Sequence, residues 1–199
     1  MVQLATREVT VGLRARTARA IAVALAGTRE APVAVRRTEL SFLSPTSPAT
    51  FQPYHAVLDL PWPEAKVAVR EAAAAIEELA TAALGALVGE LRAQGYGVRG
   101  LGIVGAPERN LEAIGNPHIR AHAAEGVLFR QVLEVAARAN GLSARSFPER
   151  DLARLAVTEL GLANGRLDAR LAELGRAVGR PWRADEKAAA TAAWLVLAR

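Results

Sequence analysis

His118, His122 and Glu125 stand four and three residues apart. At the helical advance of about 100° per residue they fall within about 60° of one another on one face. Two imidazoles and a carboxylate so placed form a candidate metal face, or else a hydrogen-bonded polar network that closes the end of a core. The spacing lacks the internal Glu of the zinc-protease pattern and matches no named metal motif. The same face continues through Phe129, Val132 and Ala136, with Arg120, Arg130, Glu134 and Arg138 opposite. This phase predicts that the three polar residues point inward.

A second group is cationic. Arg14, Arg16 and Arg19 surround the first expected hairpin, and Arg36 and Arg37 lie on the strand after it. Guanidinium groups bind phosphate through paired N–H donors, which makes Arg14, Arg16, Arg19 and Arg37 the candidate nucleic-acid contacts. The competing reading is a solvated sheet edge, where charge discourages strand pairing. Other chemistries are absent. There is no cysteine, hence no disulfide, thiolate ligand or thiol nucleophile. No Walker loop, GxSxG elbow or GxGxxG occurs, and Gly100-Leu101-Gly102 falls inside an expected strand. Aromatics are 5% of residues, too few for a base-stacking array.

The 199 residues carry a net charge of +5, which permits a polyanionic partner. Lys66 and Lys187 are the only lysines, and alanine is abundant, a pairing that also fits genome-wide base-composition bias. The start Met1-Val2-Gln3-Leu4 has no apolar signal region, and the nearest long apolar run, residues 72–88, is interrupted by Glu77 and Glu78. The expectation is a cytoplasmic protein without a membrane partner.

Periodicity and punctuation then place these residues. Residues 8–15, 18–27 and 32–42 read as an antiparallel meander. Residues 44–53 hold three prolines and read as a loop, and residues 54–60 as a fourth short strand or an extension of the meander. Residues 64–94 read as one long helix ending at Gly95, and 98–104 as a buried strand. Asn116-Pro117 caps a helix reaching about residue 140, followed by a short strand at 143–147. Helices follow at about 151–160, 166–178 and 184–197. A meander followed by alternating helix and strand predicts a single α/β domain, a mixed sheet of five or six strands with helices on both faces.

That order resembles the RNase H-like fold as RuvC-type Holliday-junction resolvases arrange it. Short patches add to the resemblance: Thr10-Val11-Gly12-Leu13, His122-Ala123-Ala124-Glu125-Gly126-Val127-Leu128, and Ala184-Asp185-Glu186-Lys187-Ala188-Ala189-Ala190. The resemblance implies phosphodiester hydrolysis by two divalent ions, Mg or Mn, held by carboxylates on the first strand, at the end of the fourth and at the start of the last helix. Here the first position is Arg14, and Ile103-Val104-Gly105-Ala106 has no acid at the second, the nearest being Glu108. Asp185 and Glu186 fit the third, although they also suit a first helical turn as partners of its dipole. The implied catalytic set is therefore Asp185, Glu186 and Glu108.

Three functions follow. The first is a RuvC-like protein that has lost two-metal hydrolysis and binds nucleic acid or protein. The second is a nuclease in which Glu108, His118, His122, Glu125, Asp185 and Glu186 form a rearranged site. The third is a scaffold that uses the helix at 64–94 as its partner surface. Arg14 favours the first, with branched or duplex nucleic acid as partner and a homodimer as the expected assembly. The histidine group is expected to converge on Asp185 or Glu186, with Arg14 in the same cleft supplying positive charge in place of a metal.

Overall fold

The computed structural model describes residues 7–162 and 165–199. Three strands, β1 (Arg7–Arg16), β2 (Arg19–Gly27) and β3 (Pro32–Ser41), form the antiparallel meander. Two more, β4 (Tyr96–Gly105) and β5 (Ala144–Pro148), add in parallel on the far side of β1. The sheet runs β3-β2-β1-β4-β5, so β1 is central. The mixed five-stranded sheet with helices on both faces is the expected α/β architecture.

Residues 54–60 are not a strand. They hold a 3-10 turn at His55–Val57. The cause is visible at His55, whose backbone N–H donates to the Glu125 carboxylate at 3.1 Å and so has no sheet partner. The helix expected at 64–94 is two: α1 (Trp62–Ala68) and α2 (Arg70–Ala93), which meet at Val69. Val69 is β-branched, buried, and has ψ near −3°, which breaks the run without a loop. The remaining helices are α3 (Pro117–Ala139), α4 (Leu152–Leu160), α5 (Arg166–Val178) and α6 (Ala184–Leu197). The Asn116 side chain accepts from the Ile119 N–H at 3.1 Å, and Gly141 turns the chain out of α3 at φ +70°.

Helices α2 and α3 cover one face of the sheet over Val9, Val11, Leu13 and Ile103; α4, α5 and α6 cover the other over Val23, Leu25, Val104 and Phe147. By length and composition α2 is long and apolar enough to cross a membrane. Here Ile76, Ala80, Leu84 and Leu91 on it are buried against the sheet. Helix α6 is apolar nearly all round, as a core helix must be, and Trp194 donates its indole N–H to the Arg29 carbonyl at 2.8 Å.

Alternation along β1 sends Val9, Val11, Leu13 and Ala15 to the α2/α3 face. Thr10, Gly12 and Arg14 therefore face α6. Thr10 donates its hydroxyl to the Ala193 carbonyl at 2.8 Å, and a Cβ on Gly12 would lie 1.7 Å from the Ala189 carbonyl oxygen. A Cβ on Gly102, beside Gly12 in the register, would lie 2.5 Å from the Ala192 carbonyl oxygen. Helix backbone thus rests directly on strand backbone. Gly12→Ala should cost about 3 kcal/mol in urea unfolding, at the upper end of overpacking penalties. Gly89→Ala, in α2 with no atom within 4 Å of the added carbon, should instead gain about 0.5–1 kcal/mol. An unchanged midpoint for Gly12→Ala would show that α6 does not lie on β1.

Candidate functional site

The C-terminal ends of the parallel strands β1 and β4 open into a cleft of about 570 Å³, the usual place for a ligand in such sheets. Arg14, Arg16 and Glu149 line one side, His122 and Glu125 the other, and Arg109 stands with the segment after β4. Arg14 is 4% exposed. Its Nη2 donates to Glu149 Oε2 at 2.5 Å, its Nε lies 3.7 Å from Asp185 Oδ1, and its Nη1 reaches the Val104 carbonyl at 3.4 Å. Burial, and then the neighbouring Arg16, lower the Arg14 pKa from its ordinary value, while Glu149 and Asp185 act to raise it. A guanidinium keeps its charge through such shifts, so Arg14 is a permanent internal cation.

Asp185 is shared. Arg16 grips it through Nε at 3.0 Å and Nη2 at 2.5 Å. The Arg16 hydrogen bond holds the Asp185 carboxyl below its ordinary pKa against the opposing effect of burial, with the charges of Arg16, Arg14 and Arg19 adding to it. Glu186 accepts from Arg37 at 2.7 Å and from the Arg183 backbone N–H at 2.8 Å. Burial pushes the Glu186 carboxyl up, but these hydrogen bonds outweigh it and leave the pKa lowered.

These residues do not fit a pair of divalent ions. Where the resemblance places a carboxylate on the first strand, a buried guanidinium stands, and both oxygens of Asp185 face arginines. At the end of β4, Gly105 has no side chain, and the Arg130 stem fills the space, 2.8 Å from where a Cβ would be. Arg130 donates to the Ala106 carbonyl at 2.8 Å and pairs with Glu134 at 2.5 Å and with Glu108. The helical phase had placed Arg130 outward; it is buried because Gly105 leaves room for it. Glu108, expected as a catalytic acid, is an exposed partner of Arg130.

The arginines expected to meet nucleic acid are all engaged within the chain: Arg14 and Arg16 as above, Arg37 with Glu186, and Arg19 with Glu39 at 3.9 Å. Two further arginines stand exposed at the cleft: Arg109, which makes no ion pair among the described residues, and Arg150, which is 77% exposed and pairs with Asp151 at 3.7 Å. Of the histidine group, Glu125 is buried as the phase predicts, but His118 and His122 are exposed. No hydrogen bond or ion pair joins the group to Asp185 or Glu186 among the described residues. The sheet explains the separation, because α3 lies on one face and α6 on the other. Arg14 shares the cleft with His122 and Glu125 only around the strand ends.

Two participants escaped the sequence reading. Glu149 follows the proline that ends β5 and is 135 residues from Arg14, with no spacing signal to join them. His55 lies in the segment read as a strand. Its Nδ1–H donates to Glu125 Oε1 at 2.8 Å, and its ring packs edge-on against His118 and His122, with centroids 5.0 and 4.4 Å away.

Both acids of α6 have folded pKa values below their ordinary ones. Their contribution to stability is therefore complete above the ordinary carboxylate range and is lost as pH falls through the lowered values. Asp185→Asn should cost about 1–3 kcal/mol at neutral pH, since it removes the charged hydrogen-bond partner of Arg16 and the carboxylate charge beside Arg14. It should also flatten the acid limb of stability below about pH 4. Urea melts from pH 7 to pH 2 check both, and parallel acid limbs for the two proteins would refute the assignment.

No protein-family model matches the chain, and no curated protein matches it. Solved structures do. The structure of Thermus thermophilus RuvC superposes with a TM-score of 0.52 at 10% identity, covering 94% of this chain and 92% of that one. T. thermophilus RuvC in complex with a Holliday junction substrate gives a TM-score of 0.54 at 10% identity, covering 94% and 91%. The chain has an RNase H-like fold of the RuvC type.

Proposed function

We propose that this protein is a RuvC-like binder of branched or duplex nucleic acid that does not hydrolyse it. The observation that carries the proposal is Arg14, a buried guanidinium tied to Glu149 and Asp185 where two-metal chemistry needs a carboxylate. Coulomb repulsion from Arg14 and the engagement of Asp185 by Arg16 both oppose a divalent ion there. What remains is a cleft with Arg109 and Arg150 exposed on it, suited to phosphate oxygens. The likeness to a RuvC bound to a Holliday junction supports a four-way junction as the first ligand to test.

Fluorescence anisotropy with a labelled four-way junction should show salt-dependent binding. Arg109→Glu with Arg150→Glu should weaken it and reduce the log–log salt slope by about 1–2, one per lost phosphate contact. No strand should be cut with Mg²⁺ or Mn²⁺. Metal-dependent cutting that disappears in Asp185→Asn would establish the rearranged nuclease instead. Absence of binding to junction and duplex alike would leave the scaffold reading.

A further inference from the structure

We propose that His55, His118 and His122 form a transition-metal site of the zinc class on the rim of the cleft, with Glu125 as the residue that positions His55. One ligand nitrogen from each histidine lies within 4.8 Å of the others. The Nε2 atoms of His118 and His122 are 3.1 Å apart, against about 3.4 Å for two nitrogens on a tetrahedral ion with bonds near 2.1 Å. The three rings meet edge-on, at interplanar angles of 83°, 66° and 86°, so that edges rather than faces converge.

The tautomer at His55 is set for ligation. Glu125, buried on α3, accepts the Nδ1–H of His55 at 2.8 Å and its backbone N–H at 3.1 Å, both at Oε1. Nε2 is then the lone-pair nitrogen, and it is a buried atom with no hydrogen-bond partner. An orphaned acceptor beside two further imidazoles is what a metal would satisfy. A carboxylate behind a ligating histidine is also the usual supporting arrangement. Glu125 therefore stands behind the ligands, where the sequence spacing had placed it among them. Nitrogen donors alone select zinc-like ions over Mg²⁺ or Mn²⁺, which take oxygen. Three protein ligands leave a fourth position, the pattern of an open site. His122 also lines the cleft, so the metal would sit at its edge and fasten the His55 turn to the first turns of α3.

The test does not depend on whether the cleft binds nucleic acid. Tag-free full-length protein, stripped with a chelator, is titrated with Zn²⁺ against a chromophoric competitor. One ion per chain is expected, with a rise in melting temperature and, for Co²⁺, the intense visible absorption of a tetrahedral site. His118→Ala with His122→Ala, both at exposed positions, should abolish stoichiometric binding and leave the melting temperature of the stripped protein unchanged. Glu125→Gln should weaken binding about 10- to 100-fold and keep the Co²⁺ band, which a lost fold would not do. Equal Zn²⁺ affinity in the wild type and the double variant, or a weak octahedral Co²⁺ spectrum, would overturn the proposal.

Discussion

The architecture depends on a match of step lengths between α6 and β1. Two residues of strand advance about 6.7 Å, and four residues of helix about 6.0 Å. Laid side by side, they pair Thr10 with Ala193, Gly12 with Ala189, and Arg14 with Asp185. The pairing exists only because glycine and alanine let backbone approach backbone. A larger residue at Gly12 would lift α6, and with it Asp185, off the strand end. Packing thus places the charges, and the ion pairs then hold what packing has placed.

At that strand end the protein solves an electrostatic problem with guanidinium groups. Arg14 takes the first-strand position, and Arg130 lies across Gly105 at the fourth. Each brings its own carboxylates: Glu149 and Asp185 for Arg14, Glu108 and Glu134 for Arg130. A buried cation without such partners would cost several kcal/mol, which accounts for two acids gathered on each. The cationic groups deepest in the cleft are consequently neutralised, while Arg109 and Arg150 stand nearer solvent.

The sheet also divides the polar residues into two populations. Those of α6 meet β1 and β3 on one face, and those of α3 meet the turn at His55 on the other. Only Arg14 and Arg16, the β1 partners of Asp185, share a cleft with His122 and Glu125, at the strand ends. The His55 turn is held there by Glu125, which bonds both its backbone and its ring. That contact gives the segment after β3 a fixed place without a sheet partner.

By itself the sequence determined the meander, the capped start of α3, the two later strands and the RNase H-like order, because these rest on local periodicity and on Asn, Pro and Gly at element ends. It also places Arg14 on the first strand, at the position where the resemblance to RuvC-type resolvases implies a carboxylate. Helical phase put Glu125 inside correctly, but it failed for Arg130, whose burial depends on the missing side chain of Gly105 on another element. It likewise could not foresee that His118 and His122 would be exposed, or that His55 would join them. Glu149 and His55 reach their partners across 135 and 70 residues. No local pattern encodes such distances. Only the stacking of α3 and α6 on opposite faces of one sheet decides which distant charges meet.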